Sequence, residues 1–310
     1  MEVIRDLSQF PRLYNAVVTS GTFDGVHVGH QKILKRLREN AIQMNGKSVV
    51  ITFWPHPRHV LANDTRNLVF LLTTIEERIE LLRRFEVDYL LIIPFTPQFA
   101  NLSSSEFISE VLIKTIGTKK LVIGYDHRFG KNREGSFDYL KENATELGFE
   151  VEEIPREDVD HVGVSSTKIR KALEAGDIET ANKYLGYFYR LTGTVSEGDK
   201  LGRTLGFPTA NLEITEPLKL IPAHGVYAVQ GNVNGQKLKG MLNIGLRPTV
   251  GGLKQTIESH FFDFNQDIYH QELQLELIAR LRNEQKFSGL EALKAQLQQD
   301  EIAARKILKA

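Results

Sequence analysis

Between Asn15 and Pro155 the chain alternates short apolar runs with amphipathic segments, and this alternation restricts the fold more than any other feature. The runs NAVVTS, KSVVITF, VDYLLIIPF, KKLVIGYD and FEVEEIP read as strands. Between them lie HQKILKRLRENAIQM, TIEERIELLRRF, SSEFISEVLIKTI and GSFDYLKENATELG. Their apolar residues recur at helical spacing, as with Ile33, Leu34 and Leu37, or Ile75, Ile79 and Leu82. Strand–helix alternation predicts a parallel sheet with helices on both faces. Continuous apolar strands agree, because such strands are covered on both sides.

Two short helices, STKIRKALEAG and DIETANKYLG, are expected next. From about Tyr187 the texture changes to strand-like runs parted by glycine-containing turns: YRLTGTVSEG, TANLEI, GVYAVQGNV, QKLKGMLNIG, IESHFFDF and ELQLELIARL. The pair Asn234-Gly235 is a hairpin signal. Regular strand spacing without helices predicts a small barrel or sandwich. An amphipathic helix from about Ser288 to Leu308 follows. A chain of 310 residues is long for one core, so two domains are expected, an α/β domain over 1–186 and a β domain with a terminal helix over 187–310. No Gly/Ser-rich or Pro-rich linker separates them, which predicts a short, fairly rigid junction.

Acidic and basic residues are equal in number, so charge gives no reason to expect a nucleic-acid or membrane partner. Protein partners are left open. The chain has no cysteine, which excludes disulfides, thiolate metal sites and a cysteine nucleophile. That composition suits the cytoplasm. The opening MEVIRDLSQF has acids and no apolar core, so a signal peptide is not expected. The run YLLIIPF is too short to span a bilayer.

The first strand ends in TSGTFDGVHVGH, with Gly21, Gly25, Gly29, His27 and His30. A glycine turn opening onto a helix offers free N–H groups and a partial positive charge to an anion. Gly21 and Gly25 allow a phosphate to approach the backbone, and His27 and His30, one turn apart, can both donate to it. Neither a Walker GKS/GKT nor a GxGxxG pattern is present. HxGH after a strand and a glycine turn resembles the motif of the nucleotidyltransferase superfamily, and also that of class I aminoacyl-tRNA synthetases.

Other stretches fall on the same sheet edge, where ligands of open parallel sheets collect. TFWPHP ends the second strand and sets His56 between prolines; a structural role for that histidine stays open. In GVSSTKIRKAL, Ser165, Ser166 or Thr167 is expected to cap a helix whose first turn carries Lys168 and Arg170. Bases there oppose the helix dipole unless a polyphosphate binds, and a solvated helix start is the alternative. IGYDHRFGKNREG brings Asp126, His127, Arg128 and Phe129 to a polar loop fit for a base or an aromatic ring.

In the second half, TGTVSEGDKLGRTLGFPTANL holds Gly193, Gly198, Gly202 and Gly206, which predicts a mobile loop near a ligand. Thr209 and Asn211 are two apart on a strand and offer hard oxygens suited to Mg²⁺ on a nucleotide. Ordinary hydrogen-bonded strand residues are the alternative reading. Glu258 in IESHFFDF shares a predicted strand face with His260, Phe262 and Phe264, and could take a proton from a substrate hydroxyl. A surface glutamate is the alternative.

Over essentially its whole length the chain resembles the bacterial bifunctional riboflavin kinase/FMN adenylyltransferase family, also called FAD synthetases. GTFDGVHVGH, FWPHP, GYDHRFG and SSTKIR are similar to its adenylyltransferase motifs, and LGFPTANL, HGVYA, NIGLRPT and ESHFFDF to its kinase motifs, all in order. One departure stands out: in the family's GFDFRFG loop this chain has Tyr125 and His127. The resemblance implies a Rossmann-like nucleotidyltransferase domain followed by a riboflavin kinase-like β-barrel. It implies ATP as co-substrate, Mg²⁺, and riboflavin, FMN and FAD as substrates and products. Glu258 would be the base of the kinase, with Thr209 and Asn211 holding Mg·ATP beside Gly198 and Gly202. In the other domain Gly21, Phe23, Gly25, His27, His30, Ser166, Thr167, Lys168 and Arg170 would bind ATP, with His27 and His30 catalytic. His56, Asp126, Arg128 and Phe129 would meet the flavin. Three further readings share parts of the pattern: a nucleotidyltransferase with a flavin- or RNA-binding barrel, a synthetase-like RNA enzyme, and a flavin reservoir.

Overall fold

Six parallel strands form the expected sheet: β1 (Glu2–Ile4), β2 (Ala16–Ser20), β3 (Lys47–Trp54), β4 (Tyr89–Pro94), β5 (Thr118–Gly124) and β6 (Glu150–Ile154). These come from a computed structural model that describes residues 1–310 except 63, 65–67, 126, 132–133, 156–162, 198–200, 250–251 and 310. The chain divides into two compact units, Met1–Ser166 and Thr167–Ala310.

In the first unit the strand order is β1-β4-β3-β2-β5-β6. All pairings are parallel. The three-residue β1 was not expected from the sequence, being too short to show a period. The order runs away from β2 on both sides, so the crevice for a ligand lies at the carboxyl ends of β2 and β5. One sheet face, with Ala16, Val18, Val49, Ile51, Leu121 and Ile123, packs on Phe107, Ile108, Val111, Leu112 and Leu140. Each large aliphatic side chain so buried contributes about 1.5–3 kcal/mol.

Helix α1 (Val28–Gln43) buries Ile33, Leu34, Leu37 and Ala41. After the four-residue α2 (Pro57–Val60), α3 (Ile75–Arg83) opens with a capping box between Thr74 and Glu77. Beyond β4 come the single turns α4 (Pro97–Ala100) and α5 (Ser104–Glu106). The expected α-helix over SSEFISEVLIKTI is instead α5 continued by a π-helix, Phe107–Ile116. Its wider winding lets the N–H of Gly117 donate to Leu112 O at 3.1 Å. Helix α6 (Phe137–Leu147) precedes β6.

Helix α7 (Ser166–Ala175) starts on the last residue of the first unit and otherwise lies in the second, where it and α8 (Ile178–Leu185) precede the strands; α8 is closed by Gly186 in a left-handed conformation, φ 76°. The change from helices to strands falls there. The strands are β7 (Tyr189–Ser196), β8 (Ala210–Glu213), β9 (Gly225–Val233), β10 (Gln236–Thr249), β11 (Gly252–Phe261) and β12 (Glu272–Arg282). They close a barrel in the order β10-β11-β8-β7-β12-β9, which leaves no open edge. Asn234 and Gly235 join β9 to β10 with φ of 49° and 84°, as a type I′ turn requires. A short α9 (Leu201–Thr204) sits before β8. The final helix α10 (Leu290–Leu308) packs Ala304 and Leu308 on Phe207, Val226, Met241 and Phe262.

One expectation needs correcting. Strand β11 ends at Phe261, so Phe262 and Phe264 do not continue the face of Glu258. The chain turns at Asp263, whose φ is 55°.

Candidate active sites

The turn after β2 is held in a conformation its residues do not favour. Phe23, Gly25 and Val26 have φ of 47°, 82° and 36°. Only glycine adopts that region without strain, so the surroundings must impose it. They do so through Asp24, which is buried. Its carboxylate accepts from the N–H of Leu72 (3.1 Å), the N–H of Thr73 (3.0 Å) and the Thr73 hydroxyl (3.1 Å). The N–H of Gly21 donates to Ile51 O at 3.0 Å and keeps the start of the turn on the sheet. A Cβ on Gly21 would press to 3.3 Å from the Phe23 ring, so this glycine makes room for that ring.

His27 caps α1: its Nδ1 accepts the backbone N–H of His30 at 3.4 Å. The two imidazoles stack, with centroids 3.7 Å apart and planes at 15°. Phe23 flanks His30 at 5.1 Å. His30 Nδ1 is buried and has no hydrogen-bond partner among the described residues. Such an atom is where a ligand group is expected. Burial first, then the neighbouring His27 and Arg78, holds the His30 pKa well below that of an ordinary histidine. Its ring is therefore neutral at pH 7 and carries one N–H to donate. Ser166 joins the same turn, its hydroxyl donating to Asp24 O at 3.0 Å. Thr167 and Lys168 follow it as exposed residues, and Arg170 is half-buried.

Because the sheet is parallel, the loops after β3 and β5 leave from the same edge as this turn. His56 is buried after the cis Trp54–Pro55 peptide, and its Nδ1 accepts the N–H of Arg58 at 3.1 Å, capping α2. Beyond β5, Arg128 is exposed. Phe129 packs against Phe107 (5.6 Å) and His127 (5.7 Å). Asp126 lies outside the described residues. His127 takes an aromatic's place against Phe129 and adds a polar link: its Nε2 is 2.9 Å from Ser20 Oγ, at the end of β2.

In the barrel, Glu258 on β11 stands in register with Asn211 on β8 and with Asn243 on β10. Its side chain is 19% exposed and accepts from Arg247 Nη2 at 3.2 Å. Thr209, just before β8, is half-buried. A Cβ on Gly202 would collide with Phe207 O at 2.3 Å, so this glycine serves close packing of α9 on the segment before β8. Gly198 lies outside the described residues. Two residues along from Glu258, on the same face, His260 Nδ1 is 2.8 Å from Pro208 O. A cavity of about 510 Å³ opens beside it, lined by Pro208, His260, Phe262, Phe264, Glu301 and Arg305 among others. Arg305 sits 4.4 Å over the Phe262 ring and bonds to Asp263 and Glu301.

The residues singled out from the sequence were the histidines, the glycines and Glu258. No role was given to Asp24, Thr73 or Arg78, which are brought together from distant parts of the chain, nor to Arg247 or Arg305. Two signals were available: GTFDGVHVGH holds Asp24, and NIGLRPT holds Asn243 and Arg247.

A family model described as FAD synthetase matches residues 10–168, and one described as riboflavin kinase matches residues 185–308. The bifunctional riboflavin kinase/FMN adenylyltransferase of Escherichia coli (strain K12) is 40% identical over 303 residues, covering 97% of this chain and 95% of its own. The protein of the same description from Pseudomonas fluorescens is 39% identical, covering 98% and 97%. A solved structure described as a macrolide-efflux protein from Streptococcus pneumoniae matches with a TM-score of 0.89 and 33% identity, over 98% of each chain. Among the described residues of the present chain, no helix is long and apolar enough to cross a membrane.

Proposed function

The chain belongs to the bifunctional riboflavin kinase/FMN adenylyltransferase family, and from that premise we propose how its residues divide the work. The enzyme phosphorylates riboflavin to FMN with ATP and adenylylates FMN to FAD. Because the riboflavin kinase match spans the barrel, the reading of that half as a flavin-sensing or RNA-binding module is set aside, and the two matches together set aside a flavin reservoir. We keep the functional boundary at Gly186/Tyr187, where helices give way to strands.

In the kinase reaction the riboflavin 5′-hydroxyl attacks the γ-phosphate of ATP, and ADP leaves. Glu258 takes the hydroxyl proton, and Arg247 fixes its carboxylate. We assign the isoalloxazine ring to the open depression beside His260, whose lining includes Phe261, Phe262 and Phe264. Thr209 and Asn211 would hold Mg²⁺ together with the phosphates. Among the described residues no group of three or more His, Asp or Glu could hold a metal ion. A pair of neutral oxygen donors beside one carboxylate fits an ion that arrives on a nucleotide. When bound, Mg²⁺ neutralises charge on the triphosphate.

In the adenylyl transfer a phosphate oxygen of FMN attacks the α-phosphate of ATP, and pyrophosphate leaves. The nucleophile is already an anion, so no base is required. The stacked His27–His30 pair at the start of α1 is the observation that carries this assignment. Neutral His30 donates to the phosphoryl oxygens as charge grows there, and the glycine turn and the helix N-terminus add N–H groups. Ser166 steadies the turn. Thr167, Lys168 and Arg170 follow it in the chain, and we assign the two bases to the leaving pyrophosphate. His56, Arg128 and Phe129 are assigned to FMN, on their place at the ligand edge; Asp126, outside the described residues, is assigned with them on the resemblance of its motif alone. A cysteine-free chain that consumes ATP suits the cytoplasm, where we place it.

The test is incubation of the pure protein with riboflavin and ATP, with and without Mg²⁺, followed by chromatography of the flavins. FMN and then FAD should appear, and only with Mg²⁺. FMN formed in full with Mg²⁺ chelated would remove the metal assignment.

A further inference from the structure

Arg78, on α3, takes no part in either reaction above, yet its side chain is wholly buried. A buried charge must be paired and hydrogen-bonded. Its carboxylate partner, Asp24, is 3.6 Å away inside the glycine turn. Arg78 Nη1 donates to Thr52 Oγ1 at 3.3 Å, and that hydroxyl donates to Thr22 O at 3.1 Å. Arg78 Nε reaches Thr73 Oγ1 at 3.5 Å, and the same oxygen accepts the N–H of Gly25 at 3.1 Å. The guanidinium thus grips the turn at two points, Thr22 and Gly25, through one hydroxyl each. Phe23, which flanks His30, lies between those points. A buried ion pair is a poor source of stability beside apolar residues of equal volume, so stability alone does not account for it.

We propose that Arg78 is a positioning residue for adenylyl transfer: with Asp24 it locks the left-handed turn so that Phe23, His27 and His30 hold their arrangement, and its charge adds to the field around His30. The proposal rests on the assignment of the histidine pair to that reaction. The charge has its own readout, because Arg78 is among the causes that depress the His30 pKa, after burial and His27. The charged and titratable groups concerned are His27 beside it, Arg78 from α3, and Asp24 paired to Arg78.

Two variants separate fork from charge. Arg78→Lys keeps the charge and loses the planar fork; Arg78→Met keeps much of the volume and loses both. Unfolding of this unit is followed by fluorescence of Trp54, the only tryptophan. The His30 ring is titrated by ¹⁵N NMR in the full chain. In Arg78→Met, kcat for adenylyl transfer should fall at least about tenfold with KM for FMN and ATP little changed, and His30 should titrate at higher pH. In Arg78→Lys the fall should be smaller and the titration should stay in place. FMN formation should be unchanged in both. The proposal is overturned if both variants keep the wild-type kcat, or if Arg78→Met loses kcat while His30 titrates as in the wild type. If Arg78→Met does not fold, Arg78→Lys decides: reduced kcat with an unmoved titration supports the proposal, and unchanged kcat overturns it. Adenylyl transfer surviving His27→Ala would instead remove the underlying assignment and leave the His30 titration result standing.

Discussion

His27 holds the ring of His30 face to face at 3.7 Å while its own Nδ1 accepts the His30 backbone N–H. One residue therefore starts the helix and shapes the turn to which we assign the phosphate. The two roles can be separated, because asparagine caps helices well and alanine does not.

His27→Asn should melt near the wild type, while His27→Ala should lose about 1 kcal/mol from the missing cap. Both should slow adenylyl transfer by about 10²-fold, since both remove a donor to the phosphate under attack. Urea unfolding followed by Trp54 fluorescence and steady-state rates with supplied FMN check the pair. Equal activity in the asparagine variant and the wild type would leave His27 as a cap alone.

Gly25 stands at φ 82° with its N–H on Thr73. Gly25→Ala should destabilise this unit by about 1–2 kcal/mol, the cost of the left-handed region for an L residue. Adenylyl transfer should fall with it, and riboflavin phosphorylation should not. A loss of the kinase rate in this variant would argue against independent sites.

Acid should weaken the first unit. The folded state holds His30 well below an ordinary pKa. Below about pH 6.5 the unfolded chain binds a proton there that the folded chain refuses. Stability therefore falls as pH drops from about 6.5, by up to about 1.4 kcal/mol per pH unit, until the folded pKa is reached. His30→Gln should lack this component. Urea midpoints between about pH 7 and pH 5, again from Trp54, measure it; parallel curves for the two proteins would contradict it.

Much of this was legible in the chain because the signals are local. The glycine turn and HxGH sit within a dozen positions, and Asn234-Gly235 announces its hairpin by chemistry that only left-handed residues satisfy. What stayed hidden depends on register and on distance. Arg78 reads as a polar position of an amphipathic helix, and nothing near it reveals that Asp24 accepts from Thr73, 49 positions away, beneath the same guanidinium. The bend at Asp263 carries no glycine or proline, so Phe262 and Phe264 looked like strand residues. The π-helical stretch was hidden for a different reason: its apolar spacing fits a 3.6-residue period as well.

Two separate catalytic centres on one chain are tested best by chromatography of the flavins made by His27→Ala and Glu258→Gln, each given riboflavin or FMN with Mg·ATP. His27→Ala should convert riboflavin to FMN at the wild-type rate and make FAD about 10²-fold more slowly; Glu258→Gln should leave riboflavin untouched yet turn supplied FMN into FAD. Failure of both steps in either variant, with the protein folded, would contradict the separation.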